Sequence, residues 1–406
     1  MKQHTAVVVV GGGYAGVTAA NRLTRRDDVT VTLVNPRPTF VERIRLHQLV
    51  GGSDDAVVGY DQVLAGRVRL VVDTVARIDV PARRLTLTTG GSLDYDYLIY
   101  AVGSDSADPV VPGAAEFAHP LATLEEAERL RQVLDAAPAD AAPTDAAVTV
   151  VGAGPTGIET AAELAEQGRA VTLVQGGPLG PYLHPTGRRA VAARLAELGV
   201  TVLDGSGATV TQVTRDADRL ADGRTLPSAV TVWTVGFGVP DLAARSGLST
   251  DARGRLLTDE TLTSVDDVHV VAAGDSAAPS DLPFRMSSQA AGPLGAHAAD
   301  TVLRRIAGEA PEPLALLFVG QCLSLGRGAG VVQFARRDDT AVGLHLGGRA
   351  GARVKEWVCR GTVSQLAFEA RRPGLLTVPR WAGDGRRREL LGTARPDVRP
   401  VAEDVS

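Results

Sequence analysis

The feature that most narrows the folds open to this chain is a pattern that occurs twice. Residues 148–151 are mostly β-branched and run straight into Gly152-x-Gly154-x-x-Gly157, after which an apolar, Ala-rich helical pattern begins. Residues 7–10 run likewise into Gly11-Gly12-Gly13-Tyr14-Ala15-Gly16 and a second Ala-rich pattern. Strand, glycine turn and helix in that order form a dinucleotide cradle. The first glycine permits the tight turn, the second lets a pyrophosphate approach the backbone, and the third lets helix pack on strand. The helix N-terminus adds free N–H groups and a partial positive charge. One such motif is weak evidence, but two imply two nucleotides.

Length and composition set the frame. At 406 residues the chain has room for two or three domains of about 150 residues each. An apolar share of 44% supplies an ordinary core. A net charge of −5 argues against nucleic acid as a partner. Cys322 and Cys359 form neither a CxxC nor a metal-ligand set, so no metal and no disulfide framework are expected, and the cytoplasm is the natural compartment. The apolar N-terminus is interrupted by Gly11–Gly13 and reads as a buried first strand, not a signal peptide. No apolar run reaches the roughly 18 residues of a spanning helix.

In order, 6–10 reads as a strand, 16–25 as a helix and 29–34 as a second strand. Asn35 then stands where an acid would accept the ribose hydroxyls. Residues 39–52, TFVERIRLHQLVGG, are dense in polar groups. Either this is a solvated helix start, or Arg45 and Gln48 point to a cofactor. Residues 67–80 and 83–88 alternate as paired strands, and 95–101 is a buried strand closed by Val102-Gly103-Ser104. A helical pattern covers 121–134, and a low-complexity Ala/Pro/Asp loop fills 135–147. In the second unit 171–175 is a strand ending at Gln175, where an acid would select NAD. Then come a helix at 188–198, a strand at 200–203, a hairpin region at 208–225, a strand at 229–235 and one at 268–273. A long helical pattern spans 286–306. Beyond 314 short strands (330–335, 340–346) precede a helix near 353–361. Residues 371–406 are Arg-rich and Pro-interrupted and read as loosely packed in their last part.

These pieces together resemble the two-dinucleotide flavoproteins, and within them the type II NADH:quinone oxidoreductases and the apoptosis-inducing-factor-like quinone reductases. The matching motifs run in family order: GGGYAG at Gly11, YDYLIYAVGS at Tyr95, GAGPTGIETAAEL at Gly152, TVWTVGFG at Thr231 and GRLLTDETLTSVDDVHVVAAGD from Gly254. The resemblance implies an α/β chain of two Rossmann-like three-layer domains, the second inserted in the first, with a smaller α+β C-terminal domain. The FAD domain would take 1–115 and 265–312, the NAD(P)H domain 116–264, the C-terminal domain 313–380 and a loosely ordered tail 381–406.

The same resemblance assigns roles. Gly11, Gly13, Tyr14, Ala15 and Gly16 would hold the FAD pyrophosphate, Asn35 the adenosine ribose, and Val75 the adenine through its backbone. Arg45 and Gln48 would reach towards the flavin, with Ala101, Val102, Gly103, Gly274 and Asp275 along the rest of FAD. Gly152, Gly154, Thr156 and Gly157, with Gln175 and Gly236, would cradle NADH or NADPH. Glu159 would sit where the nicotinamide stacks on the flavin, or would merely be a first-turn glutamate favoured by the helix dipole. With no Cys in 39–52, electrons would leave through a diffusible acceptor, a quinone by family expectation. Ser288, Gln289 and Ala290 open a helix on the acceptor side; Gln289 would bond a quinone carbonyl or simply cap the helix. Lys355 reads as a salt-bridged or solvated lysine, Glu163 as structural, and both cysteines as small buried apolar residues. Gln175 predicts relaxed use of NADH and NADPH. Other readings are a reductase of an electron-transfer protein such as ferredoxin, and a slow-turnover flavin redox sensor. A homodimer stays open, as does weak peripheral contact with the inner membrane face through Arg371, Arg372, Arg380 and Arg386–Arg388.

Overall fold

The computed structural model describes residues 4–136, 147–374 and 383–393. Its first sheet is five-stranded and parallel. Thr5–Val10 lies at the centre, between Val29–Asn35 and Tyr97–Tyr100; Arg69–Val72 and Val270–Ala272 form the edges. The strand Val270–Ala272 is contributed from far along the chain, after a second sheet has been completed. That second sheet is again five-stranded and parallel, in the order Ala118–Pro120, Val230–Trp233, Val148–Val151, Val171–Gln175, Thr201–Asp204.

Both sheets are covered on two faces, which explains the continuous apolar runs of their central strands. On one face of the first sheet, helices Tyr14–Leu23 and Ser288–Ile306 share a core with Val7, Val9, Val31 and Ile99. On the other, Val8, Val10 and Leu98 meet Ile78 and Leu85 of a small antiparallel sheet. The second domain repeats the plan. Helices Leu124–Ala136, Pro155–Glu166 and Pro185–Glu197 cover one face, and the antiparallel strands Val210–Val213, Ala217–Leu220 and Thr225–Pro227 cover the other. This is the three-layer α/β architecture expected from the paired motifs. A short antiparallel pairing, Asp105–Ser106 with Phe237–Gly238, stitches the two domains together.

The third unit is an antiparallel sheet, Gly320–Ser324, Gly330–Ala335 and Ala341–Leu346, packed against the helix Gly348–Arg371. It rests on both other cores: Leu323 and Val331 join the second, Phe318 and Leu366 the first.

Three sequence expectations change. Residues 67–80 are two strands in different sheets, because Arg69–Val72 joins the parallel sheet while Val75–Asp79 pairs with Arg84–Leu87. The helix expected near 353–361 runs from Gly348 to Arg371, since Gly361 within it is compatible with continuing backbone hydrogen bonds. The Arg-rich end contains a helix, Gly385–Thr393. One arginine reserved for a lipid patch, Arg387, is buried there in an ion pair with Glu260 at 2.7 Å. Arg380 and, of the expected tail, residues 381–382 and 394–406 lie outside the described residues.

Candidate active site

The two glycine turns have the same geometry. Gly11 and Gly152 have φ of +104° and +106°, a region that side chains avoid. A Cβ on Gly16 would lie 1.8 Å from the Gly11 carbonyl oxygen, and a Cβ on Gly157 would lie 1.8 Å from that of Gly152. These third glycines let helix and strand touch. The middle glycines differ: a Cβ on Gly13 or Gly154 would meet nothing within 4 Å. Each is the N-cap of its helix and offers no side-chain cap. By contrast Ser287 and His184 cap their own helices by accepting from Ala290 and Thr186 N–H. The first-turn N–H groups at both cradles are therefore left for an outside anion, which is what a bound pyrophosphate requires.

The amides closing the second strands take up matching bonds. Asn35 Oδ1 accepts the Gly12 N–H at 3.0 Å, and Gln175 Oε1 accepts the Ala153 N–H at 2.8 Å. Asn35 also donates to Arg37 O at 2.8 Å. Both ends of Asn35 shape the loop, so an incoming ribose meets a committed amide.

A cleft of about 1820 Å³ opens from the first cradle. Gly11, Gly13, Tyr14, Ala15, Asn35 and Val75 line it, as do Ala101–Gly103, Gly274 and Asp275. Thr156, Glu159 and Gln289 reach it from the second domain and the long helix. Gly16, Gly152, Gly154, Gly157, Gln175, Gly236 and Ala290 stand outside its lining. Gly16 and Gly157 are packed against backbone, and the Ala290 N–H is tied to Ser287.

The polar stretch at 39–52 presents a different face from the one singled out. Arg45 is buried among Glu42, Gln48 and Glu356, at 3.3, 2.8 and 3.2 Å, and neither Arg45 nor Gln48 lines the cleft. Arg43 and His47 do line it. The 3-10 turn Arg43–Arg45 leads into the helix Leu46–Val50. Positions 43 and 47 are one helical turn apart, so they share a face, and 45 and 48 share the other. That spacing was the available signal. Arg43 donates to Ser104 Oγ at 2.9 Å, and Ser104 donates to Asp275 Oδ2 at 2.7 Å. Arg43 Nη1 also lies 3.7 Å from the same Asp275 oxygen, so both residues hold Asp275 through Oδ2.

Where the three units meet, three ionisable side chains converge. Glu159, only 6% exposed, receives Lys355 Nζ at 2.9 Å and the Ser324 N–H at 2.8 Å, with His47 Nδ1 at 3.5 Å. Burial pushes the Glu159 carboxyl up, but Lys355, His47 and the backbone donor outweigh it and hold it below the ordinary range. Burial works against the Lys355 ammonium as well, and Glu159 more than reverses it. Burial, with Lys355 and two arginines nearby, pushes His47 down to about 4 against the pull of Glu159. The pair is ionised and the imidazole neutral at ordinary pH. Lys355 is the salt-bridged lysine that the sequence suggested, but its partner is at the cleft. Glu163 accepts Ser53 Oγ at 2.6 Å and is structural. Cys359 is buried, Cys322 half-buried, and burial pushes both thiols up.

Gln289 is not the helix cap. With its amide in the orientation that satisfies both ends, it donates to Gly320 O at 2.9 Å and accepts from Val319 N at 3.2 Å. The cleft mouth beside it is apolar: Trp357 and Val319 are 74% and 60% exposed, and Phe334 and Phe368 lie there too.

Comparison with known proteins agrees with this geometry. Residues 5–299 match the family described as pyridine nucleotide-disulphide oxidoreductase. The chain belongs to that family. It is 32% identical over 323 residues to an NADH dehydrogenase-like protein of Mycobacterium tuberculosis, covering 74% of this chain and 80% of that one. It is 29% identical over 373 residues to a type II NADH:quinone oxidoreductase of the same organism, covering 80% and 79%. Among solved structures, NDH2 from Plasmodium falciparum in complex with NADH superposes with a TM-score of 0.74 at 15% identity, covering 92% of this chain and 100% of that one. The sulfide:quinone oxidoreductase of Aquifex aeolicus gives 0.75 at 20%, covering 91% and 93%. This family member is an NAD(P)H dehydrogenase that uses FAD and NAD(P)H, and its two cradles fit two such dinucleotides. Among the described residues no helix is long and apolar enough to cross a membrane.

Proposed function

We propose that this dehydrogenase passes electrons from NAD(P)H through FAD to a diffusible quinone. The supporting observation is the cleft that joins the first glycine cradle to Thr156 and Glu159 of the second and ends in an apolar mouth. A lipophilic, uncharged ring suits such a mouth, because burying it removes apolar surface from water on both sides. When bound, FAD would accept a hydride from the nicotinamide and release its electrons to the quinone.

The chain's own part is placement. Gly11, Gly13, Tyr14, Ala15 and Gly16 would seat the FAD pyrophosphate, Val75 the adenine, and Ala101–Gly103 with Gly274 and Asp275 the remainder. Arg43 and Ser104 would fix Asp275. Gly152, Gly154, Thr156 and Gly157 would seat NAD(P)H, with Gln175 and Gly236 at the edges. Glu159, kept ionised by Lys355, would be an acceptor at the nicotinamide end and could not donate a proton. Gln289, held by the backbone at 319–320, would present the acceptor side of the long helix. Arg45 and Gln48 would support the loop from behind.

Anaerobic stopped flow with NADH, followed by menadione, tests the proposal. Rapid flavin bleaching and rapid reoxidation are expected. A flavin that bleaches and then ignores menadione, while reducing a ferredoxin, would replace the quinone with a protein acceptor.

A further inference from the structure

We propose that Arg387 is a positioning residue: it clamps the loop that walls the acceptor end of the cleft, and so sets acceptor affinity without taking part in flavin reduction. The proposal rests on the quinone-acceptor reading of that cleft.

The loop between the strand Ala277–Pro279 and the helix Ser288–Ile306 is under backbone strain. Ser280 and Asp281 have φ of +52° and +54°, in the left-handed region where non-glycine residues are uncommon. The next residues of the loop belong to the site, since Pro283, Phe284, Arg285 and Met286 all line the cleft. Ser287 then caps the helix that carries Gln289.

Arg387 holds this loop from the far end of the chain. Its guanidinium donates to Pro279 O at 2.9 Å and to Leu282 O at 2.6 Å, one on each side of the strained pair. It binds both Glu260 oxygens, at 2.9 and 2.7 Å, and sits 4.4 Å from the centroid of the Phe284 ring. Ser280 Oγ donates to the same Glu260 at 2.7 Å. Arg387 is 9% exposed. Only a planar fork with several donors can serve a carboxylate and two carbonyls at once while stacking on a ring. The helix Gly385–Thr393 thus acts as a strap, anchored also by the Asp384 N–H on Leu316 O at 3.2 Å. Beside it Arg285 pairs with Asp339, with one bond at 3.0 Å, which fixes the loop's cleft-facing half. The turn itself is closed by the Leu282 N–H on Pro279 O at 2.9 Å and tied by the Ser280 N–H to Thr258 O at 2.7 Å; with the clamp released these bonds remain, while the cleft wall at 283–286 loses the hold that Arg387 gives it.

The test compares wild-type, R387A, R387K and E260Q holoenzymes in three measurements: NADH-driven bleaching without acceptor, KM for menadione, and tryptic cleavage after Arg285. For R387A we expect KM to rise and cleavage to quicken, each by about tenfold or more, the scale of losing charge-assisted hydrogen bonds. Bleaching should stay within about twofold. R387K should recover part of the effect, and E260Q should shift KM in the same direction. The proposal is overturned if bleaching falls in step with acceptor turnover, or if KM and cleavage after Arg285 are both unmoved. Should R387A fail to fold, R387K and E260Q carry the same reading. If menadione does not reoxidise even the wild type, only the quinone reading fails; KM is then read with ferricyanide, and cleavage after Arg285 still reports the clamp.

Discussion

His47 makes the sharpest test of the buried junction. It is neutral and buried, and its pKa is pushed from 6.5 down to about 4. An unfolded chain would protonate the same imidazole at its ordinary value. As pH falls below that value the unfolded state takes up a proton which the folded state refuses, so folding stability is lost over the window from about 6.5 to about 4. At about pH 5 the loss amounts to about 2 kcal/mol; below the folded value it levels off at about 3 kcal/mol. Replacing His47 with Gln removes the titrating group and keeps an amide facing Glu159. Unfolding free energies from urea titrations at about pH 7 and about pH 5 should therefore fall further for wild type than for the variant, by about 2 kcal/mol. The other titrating groups, His119 and His297 among them, are common to both proteins and drop out of the difference. Equal acid losses in the two proteins would refute the neutral, buried imidazole.

Three further outcomes are expected from the same geometry. Lys355→Met strands the Glu159 carboxylate in a buried site and should cost about 3–5 kcal/mol of stability; a loss under about 1 kcal/mol in urea titration would mean that water or another cation replaces the ammonium. Gly16→Ala puts a Cβ 1.8 Å from the Gly11 carbonyl oxygen and should yield protein without flavin absorbance, whereas Gly157→Ala makes the same clash at Gly152 and should keep the flavin while weakening NADH in a fluorescence titration. Loss of flavin in both would place FAD across the two cradles. Gln175→Glu retains an acceptor for the Ala153 N–H but adds a charge, so NADPH binding should weaken relative to NADH by about 1 kcal/mol, roughly fivefold; an equal change for both cofactors would put the 2′-phosphate elsewhere.

The parallel sheets were legible because their signals are local. Four consecutive β-branched residues, a glycine turn and an Ala-rich helix fit within sixteen positions, and this occurs twice. The return of the strand Val270–Ala272 to the first sheet came from resemblance, since no local pattern states which sheet a strand joins. The same limit explains residues 69–72, which look like half of a hairpin and instead pair with Val29–Asn35. In the site, segment 39–52 lines the cleft through Arg43 and His47 and not through Arg45 and Gln48. Arg45 and Gln48 are as polar as Arg43 and His47; only the turn preceding Leu46 decides which pair faces the cleft. Lys355 was left between a salt bridge and a solvated head, and Arg387 was set in a surface patch, for another reason. Their partners, Glu159 and Glu260, are distant in sequence, and a charge whose partner is unknown reads as a solvated one.

The duplication separates the grip on a cofactor from the task that cofactor is given. The two cradles agree in backbone: the same φ at the first glycine, the same clash at the third, the same amide closing the loop. These shared backbone features do not distinguish one nucleotide from the other. What differs is what has been packed against them. The first cradle opens into the large cleft and faces Asp275, oriented by Ser104 and Arg43. The second reaches that cleft only through Pro155, Thr156 and Glu159. The third unit then supplies the Lys355 ammonium that keeps Glu159 charged, and the apolar mouth at Val319, Phe334 and Trp357. Two copies of one phosphate grip thus acquire separate tasks from side chains outside the motif. Exchanging the glycine turns between domains should therefore leave each cofactor on its own side, whereas exchanging Glu159 and Lys355 for apolar residues should disturb the junction while both grips remain.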